Sequence, residues 1–357
     1  MAMQINICNE KEKKIPEREY FVDNMRFILI FLAVLGHLLT IAEPFAGSKF
    51  LYKVIYSFHM PAFIFVFGYY AKFNIKRIVF HWLVPYVCFQ TFLFTFYRLV
   101  LGLDTKLQYI NPFWSLWFLL TCAVFQFVLP LINTSNKKKQ LFILLGSICA
   151  ALLIGYVDFI GKVLSLSRIF VYFPWFLMGV YLHMNGGFSS IFSTKKTTMK
   201  WFVCSLVGCV LSVLFMYNFN IKDRMLYGSH PYSVSGQTIW VRGLVMIITF
   251  SWIVLLCSAT KLFASKRIPL ITYIGQCTLA IYLLHGYILK SIAHFCPVLV
   301  SKPLYVFILA VVLVFALGNN ALKKFVYYIG FSWLENVVPI INKPKNIREK
   351  YYESIRQ

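Results

Sequence analysis

Acidic residues are scarce in this 357-residue chain, where 12 Asp and Glu stand against 35 Lys and Arg. Sugar hydrolysis by glycosidases usually needs two carboxyl groups facing one bond. Here the acidic residues of the apolar region are scattered at the ends of apolar segments, where solvation in a loop is the simplest interpretation: Glu43, Asp23, Asp104, Asp158 and Asp223. The sequence therefore argues against two-carboxylate sugar chemistry.

Other common signatures are missing as well. There is no internal repeat, no Gly-rich loop of the kind that holds phosphates and no metalloprotease motif. Nine cysteines, among them Cys8, Cys88 and Cys122, lie mostly inside apolar segments without paired external spacing. This pattern predicts neither a disulfide framework nor a metal cluster, so we expect no metal cofactor.

Charged residues are few overall, at 13% of the chain, while 60% of the residues are hydrophobic. Soluble domains carry roughly 25% charged residues, so this composition is typical of a membrane protein. Apolar runs of about 20 residues are long enough to cross a bilayer. We predict an all-α, polytopic membrane protein with about ten transmembrane helices, near residues 22–42, 51–72, 78–99, 114–132, 140–157, 169–183, 201–219, 238–260, 270–294 and 303–322.

The net charge of +23 is spread over short loops and tails instead of forming one face, which argues against nucleic acid as a partner. With ten spans, the basic residues favour one side of the membrane at every loop, and that side is expected to be cytoplasmic. We therefore predict a multi-pass plasma-membrane protein with both termini in the cytoplasm. Its parts are a tail at residues 1–21, a transmembrane domain at residues 22–325 and a basic tail at residues 326–357.

The first apolar segment contains "RFILIFLAVLGH", with Arg26 at one end and His37 at the other. Eleven residues turn a helix through about 1100° and advance it by ~16 Å, so the two side chains share one face at different depths. Both are costly in lipid, which predicts that this face lines the bundle interior or a wet cavity. Snorkelling of Arg26 and a structural hydrogen bond for His37 are the alternatives.

Two further histidines fall at a similar depth. His59 in "YSFHMPAFIFVFGYY" and His285 in "LAIYLLHGYILK" both lie in the predicted outer half of their segments. A backbone carbonyl could bind either imidazole, near Pro61 in the first case and next to Gly286 in the second. Three histidines at one level nonetheless favour a common site.

Polar and aromatic residues also occur at the predicted outer ends of the segments. Arg242 is a candidate for binding an anionic or hydroxyl-rich substrate, with snorkelling as the alternative. Four aromatic residues could stack on sugar rings, although anchoring at the membrane interface is the commoner role for such residues: Tyr109, Trp114, Tyr232 and Trp240.

These residues, taken in order, resemble a known family. Arg-x10-His is followed by "SFHMPAFIFVFGYY", "KRIVFHWLVPY", "WSLWFLL", "FPWFLMGVYL" and "LAIYLLH". The set is similar to the acyltransferase family 3 membrane proteins, and "FHMP" is most similar to their fucose O-acetylase-like branch. Two positions depart from the family pattern. Phe67 stands where Ser is common before Gly68, and His81 stands where a second Arg is common in the third helix.

The resemblance implies about ten helices and transfer of an acyl group, usually acetyl from acetyl-CoA, to a hydroxyl of a sugar or other envelope molecule. It also implies that Arg26 and His37 are essential. On this basis Arg26, with Lys76 and Arg77 on the same face, is expected to bind the phosphates of CoA.

The expected chemistry needs a base, because an alcohol is a poor nucleophile while protonated, and histidine exchanges protons near neutral pH. We expect His37 to act as the base or as a covalent acyl relay, with His59 as a second catalytic residue. Arg242 and His285 are the predicted substrate-binding residues, and the acceptor is expected to be a carbohydrate or envelope polysaccharide. The alternative is a transporter or flippase for a lipid-linked or surface polysaccharide, although the inverted halves of many transporters are not detectable.

Overall fold

The computed structural model describes residues 19–160, 163–219 and 221–329, and these residues form helices joined by turns, with no strand among them. The predicted all-α class is therefore confirmed for the described part of the chain. The main helices are α1 Tyr20–Leu39, α2 Ser48–Tyr69, α3 Ile75–Leu99, α4 Trp117–Ile132, α5 Lys137–Leu153, α6 Leu166–Met184, α7 Lys195–Asn218, α8 Ile239–Phe263, α9 Pro269–Gly275, α10 Thr278–Phe295, α11 Pro303–Leu317 and α12 Asn320–Tyr327.

Short helical turns connect these elements. A π-helical turn, Val79–Leu83, lies inside α3. The others are Ile154–Tyr156, Val163–Ser165, Gly187–Ile191, Asp223–Leu226, Tyr232–Ser235 and Pro297–Val300. Two of them, Asp223–Leu226 and Tyr232–Ser235, belong to the connection between α7 and α8, which closes one end of the bundle.

The predicted count of about ten spans is not confirmed. By length and apolar composition, seven described helices can cross a membrane, or eight if α11 and α12 form one span bent by 66°. α4 is apolar but has only 16 residues. The predicted span at 270–294 is divided, because α9 ends at Gly275 and α10 begins at Thr278.

Two glycines bring α2 and α6 into backbone contact. A Cβ atom on Gly68 would lie 2.2 Å from the carbonyl oxygen of Phe176, and one on Gly179 would lie 2.1 Å from that of Phe65. Any larger residue would force the two helices apart. The glycines therefore fix the position of α2, which carries part of the functional site.

Pro61 lies inside α2 and cannot donate a backbone hydrogen bond to the carbonyl of Ser57. The hydroxyl of Thr249, on α8, donates to that carbonyl at 2.6 Å. A buried carbonyl thus keeps a partner, and α8 is held against the face of α2.

The predicted tail at residues 1–21 overlaps the described residues only at 19–21, and the predicted tail at 326–357 only at 326–329. The rest of both tails lies outside the described residues. Their predicted cytoplasmic location stays a prediction.

Candidate functional site

A cavity of about 670 Å³ runs through the bundle between two ends. We call them the Arg26 end, where Arg26, Tyr70 and Arg77 line the cavity, and the Arg224 end, where Arg224 and His230 line it. Its volume lies within the roughly 300–1,000 Å³ common for small-molecule sites. No carboxylate belongs to the described residues that line it.

Five of the seven predicted site residues line this cavity: Arg26, His37, His59, Arg77 and His285. Lys76 and Arg242 do not. The shared face predicted for Arg26 and His37 therefore does face a cavity. The Arg26 end is built from the start of α1, the end of α2 and the start of α3, while the Arg224 end includes the connection between α7 and α8.

Three histidine rings meet in the middle of the cavity. The centre of the His37 ring lies 5.3 Å from that of His285 and 6.4 Å from that of His59. α1, α2 and α10 each contribute one ring. No group of three His, Cys, Asp or Glu side chains in the described residues has a metal-holding arrangement. The three histidines are therefore considered as proton acceptors and hydrogen-bonding groups.

His59 and His285 are held in the same way by their own helices. Nδ1 of His59 lies 2.8 Å from the carbonyl oxygen of Ile55, and Nδ1 of His285 lies 2.9 Å from that of Ile281. Because a carbonyl only accepts, each Nδ1 carries the hydrogen, and Nε2 of a neutral ring is an acceptor. Both Nε2 atoms are buried without a hydrogen-bond partner among the described residues. The only ring nitrogen of each that remains for a ligand is therefore Nε2.

His37 differs from the other two because its Nδ1 bonds a side chain. Nδ1 lies 2.9 Å from the hydroxyl of Tyr56, and either group can donate, depending on the tautomer. When His37 donates, its Nε2 is left as a lone-pair base, which is the tautomer a general base requires. Tyr56 also packs on His59, with ring centres 4.9 Å apart. Tyr56 thus connects two of the three histidines.

Trp114 covers the histidine cluster. Its ring centre lies 4.6 Å from that of His37 and 5.1 Å from that of His285. The backbone of Trp114 has φ of 45°, an uncommon conformation for a bulky residue. Gly286 makes room for the indole, since a Cβ atom there would lie 2.1 Å from the Trp114 ring. Trp114 thus lines the cavity, and of its two predicted roles this favours contact with a substrate over anchoring at the membrane interface.

At the Arg26 end, Arg26 is held from two sides. Its Nη1 lies 3.2 Å from Oδ1 of Asp23, and its guanidinium lies 5.0 Å from the centre of the Tyr70 ring. Tyr70 donates a 3.0 Å hydrogen bond to Glu19. Burial and the Glu19 carboxylate raise the pKa of the Tyr70 phenol, so it stays a neutral donor. Asp23, predicted to be a solvated loop residue, is in fact buried and positions Arg26.

The neighbouring basic residues separate at the start of α3. The side chain of Asn74 accepts a 3.1 Å hydrogen bond from the backbone N–H of Arg77 and so caps this helix. Both side chains are exposed, but Arg77 lines the cavity and Lys76 does not. His81 packs near Tyr327, with ring centres 6.0 Å apart, and does not line the cavity. Arg77 is therefore the basic residue that this helix adds to the Arg26 end.

Arg242 is buried outside the cavity lining. Its Nη atoms donate to the carbonyl oxygens of Ala151 and His230 at 3.1 and 3.2 Å, and its guanidinium lies over the Tyr232 ring at 4.6 Å. These contacts tie α8 to the end of α5 and to the connection before α8. The structure thus gives Arg242 a structural role in place of the predicted contact with the acceptor.

Tyr56 and Arg168 line the cavity but were not predicted as site residues. Tyr56 precedes His59 by three residues, a spacing that places both on one helix face. Trp114 lies in the turn before α4 and Arg168 is the third residue of α6, and neither position carries a periodic signal. Arg168 was assigned to a loop by its position, yet it lines the cavity and lies over the Trp117 ring at 4.8 Å.

A model of the acyltransferase domain named Acyl_transf_3 matches residues 19–318, most of the chain. The chain belongs to acyltransferase family 3. No curated protein and no solved structure shows a significant match. Membership makes the protein a membrane acyltransferase, which favours this class over the transporter alternative. The matched residues include every element that lines the cavity of this family 3 acyltransferase.

Proposed function

We propose that this acyltransferase moves an acetyl or other short acyl group from acyl-CoA to a hydroxyl of a sugar in an envelope glycan, as in the fucose O-acetylase-like branch. The observation that carries the proposal is one continuous cavity with cationic side chains at one end and three histidines within it. A donor with a charged head and a thin arm, and an acceptor with a hydroxyl, can meet in such a cavity.

Acyl-CoA enters from the Arg26 end in this proposal. The guanidinium groups of Arg26 and Arg77 bind its phosphates, since guanidinium forms paired hydrogen bonds to phosphate oxygens. Lys76, exposed beside Arg77, adds charge at the rim. The ~16 Å of helix between Arg26 and His37 suits the pantetheine arm, which carries the thioester toward the histidines.

His37 then acts as a base. It takes the proton of the acceptor hydroxyl, the hydroxyl oxygen attacks the thioester carbonyl, and the CoA thiolate leaves and is protonated. In the covalent alternative, an imidazole nitrogen of His37 attacks the thioester and takes the acyl group as the CoA thiolate leaves; the acceptor hydroxyl oxygen then takes the acyl group from the imidazole, and its proton balances the thiolate. Both routes give the same products, an acylated hydroxyl and free CoA, and both use His37 at the reaction centre.

In this proposal the lone pairs of two histidine nitrogens hold the acceptor. Nε2 of His59 and Nε2 of His285 are buried acceptors without partners in the described part of the chain, and a sugar hydroxyl is a donor that satisfies them. A thioester oxygen cannot, because it has no hydrogen to give. This supports a polyhydroxylated acceptor and places His59 and His285 on the acceptor side of the reaction.

The test is acyl transfer by the purified protein in detergent, with radiolabelled acetyl-CoA and a panel of glycans. We expect label on at least one glycan, and a loss of ~10²–10⁴ in rate for His37→Ala because a positioned base is removed. His294→Ala, an exposed histidine outside the cavity, is the matched control and should keep full activity. Near-normal turnover by His37→Ala would exclude His37 from the chemistry. If the protein instead moved a saccharide across the membrane of vesicles without acylating it, it would be a transporter.

A further inference from the structure

Arg168 is a further arginine of the cavity wall, separate from the Arg26 and Arg77 of the proposed CoA site. It lies at the start of α6, where Ser165, in a turn with φ of 58°, precedes the helix. Its Nε donates a 3.0 Å hydrogen bond to the carbonyl oxygen of Tyr227, and its guanidinium lies 4.8 Å from the centre of the Trp117 ring. The guanidinium is thus fixed in direction, with one hydrogen bond to the protein.

Among the described residues, no carboxylate neutralises the charge of Arg168. No described carboxylate forms an ion pair with it, whereas Arg26 has Asp23. Its two Nη groups have no hydrogen-bond partner among the described residues, and the side chain is half-buried in the cavity wall. A partly desolvated cation without a counter-charge is unfavourable, and a bound anion would remove that cost.

The Arg224 end continues this positive character outward. Arg224 lines the cavity and also a second, open hollow of about 550 Å³. The charged residues of that hollow are four cations and one carboxylate: Lys49, Lys53, Lys222, Arg224 and Asp223. A cationic entrance raises the local concentration of anionic ligands and steers them inward.

Contacts relate Arg168 to the histidine cluster. Tyr227, whose carbonyl accepts from Arg168, has its ring centre 5.8 Å from that of Tyr56, and Tyr56 bonds His37. α1 and α6 enter the bundle from opposite ends, because Arg26 near the start of α1 lines one end and Arg168 lies with the connection that forms the other. An anion on Arg168 therefore lies on the side of His37 away from the proposed phosphates of CoA.

We propose that Arg168, with Arg224 at the entrance, binds an oxyanion of the acceptor, either a sugar carboxylate or a sugar phosphate. The acceptor is thus an anionic saccharide, and its charge selects it and orients one hydroxyl toward His37. This inference rests on the proposed function, since it specifies the acceptor of the same site. A planar guanidinium bonds carboxylate and phosphate equally well through paired N–H groups.

The test is calorimetric titration of the purified protein, without acetyl-CoA, using three probes. These are a glucuronate-containing disaccharide, its neutral glucose-containing counterpart, and glucose 1-phosphate. We expect at least one anionic probe to bind tenfold or more tightly than the neutral disaccharide, less so at high salt. Preference for the carboxylate or for the phosphate probe then distinguishes the two sources of the anion.

Variants locate the anion site. We expect Arg168→Gln to lose tenfold or more in affinity for the preferred anionic probe, while Arg98→Gln, an exposed arginine outside the cavity, keeps it. Arg224→Gln changes an exposed side chain and gives a smaller loss, which preserves the test if Arg168→Gln does not fold.

Acetyl-CoA affinity is measured on the same samples and should be unchanged in Arg168→Gln. Equal binding of the neutral and anionic disaccharides would overturn the inference. So would retained anion affinity in the folded Arg168→Gln protein, or a loss confined to acetyl-CoA. Failure of acetyl-CoA to bind the unmodified protein would instead contradict the proposed donor. The anion site would still be tested, because the probes are titrated without acetyl-CoA.

Discussion

Two ring nitrogens, Nε2 of His59 and Nε2 of His285, define what the site can recognise at the scale of single residues. Each ring is oriented by a hydrogen bond to the carbonyl four residues earlier in its own helix. The carbonyl that Pro61 releases is taken by Thr249, so it does not compete for His59. The two imidazoles are thus preset as acceptors before any substrate arrives.

His59→Gln tests this arrangement. Glutamine keeps similar bulk and an acceptor oxygen, but an amide oxygen is far less basic than an imidazole nitrogen. We expect kcat/KM for the acceptor to fall ~10–100-fold, the cost of ~1–3 kcal/mol for a weakened buried hydrogen bond. Acetyl-CoA affinity and thermal stability should not change, and His294→Gln serves as the control. Near-normal transfer by His59→Gln, with a loss of stability only in His59→Ala, would assign His59 a structural role.

Arg26 supports a second prediction. We expect Arg26→Ala to weaken acetyl-CoA binding by tenfold or more, and Arg26→Lys to recover only part of the loss, because lysine lacks the planar fork for paired phosphate contacts. Both affinities can be measured by titration. Arg267→Ala removes an exposed arginine near the same end and should bind normally. If both Arg26 variants bind acetyl-CoA like the unmodified protein, Arg26 only snorkels toward the membrane surface.

The candidate site was partly predictable from the sequence. Arg26 and His37 share a face by helical geometry alone, and the depth of His59 and His285 follows from their positions in apolar segments. The cavity positions of Trp114 and Arg168 were not predictable, because Trp114 lies in the turn before α4 and Arg168 in the first turn of α6, each at or near residues with positive φ. Such turns leave no periodic pattern in the sequence.

At the scale of helices, α2 and α6 depend on backbone contact. We expect Gly179→Ala to lower the free energy of unfolding by at least ~1–3 kcal/mol. Its methyl group would overlap the carbonyl of Phe65 and push α2 away. Gly146→Ala, inside α5 with nothing within 4 Å of the added Cβ, is the matched control. Thermal unfolding followed by size-exclusion chromatography measures both. Equal stability of the two variants would show that the helices can separate at little cost.

Helix existence was easier to predict than helix continuity. The apolar segments at 22–42, 51–72, 201–219 and 238–260 all correspond to long helices. The break between α9 and α10 was not predicted, because no proline marks it. At this break the backbone of Gly275 packs closely against α1, since a Cβ atom there would lie 2.0 Å from the carbonyl oxygen of Asp23. α9 therefore ends where it meets the start of α1.

For the whole molecule, arginines line both ends of the cavity, and the proposed mechanism requires that the Arg26 end face the cytoplasm. α4 begins beside the Trp114 turn, and its Gln126 donates to the carbonyl of Lys72 toward the Arg26 end. Lys137, after α4, therefore lies at the Arg26 end, while Asp223 lies beside Arg224 at the other. The structure thus pairs each end of the cavity with an accessible loop.

Labelling of these loops in intact cells tests the orientation. In a chain whose native cysteines are replaced by serine, we expect Asp223→Cys to react with an impermeant maleimide and Lys138→Cys to react only after the membrane is permeabilised. The reason is the basic bias of the loops, which retains Lys137, Lys138 and Lys139 in the cytoplasm during insertion. Acyl-CoA is charged and is made in the cytoplasm, so the Arg26 end must open there for the donor to enter. Labelling of Lys138→Cys in intact cells, with Asp223→Cys protected, would place Arg26 and Arg77 outside and leave the proposed reaction without its donor.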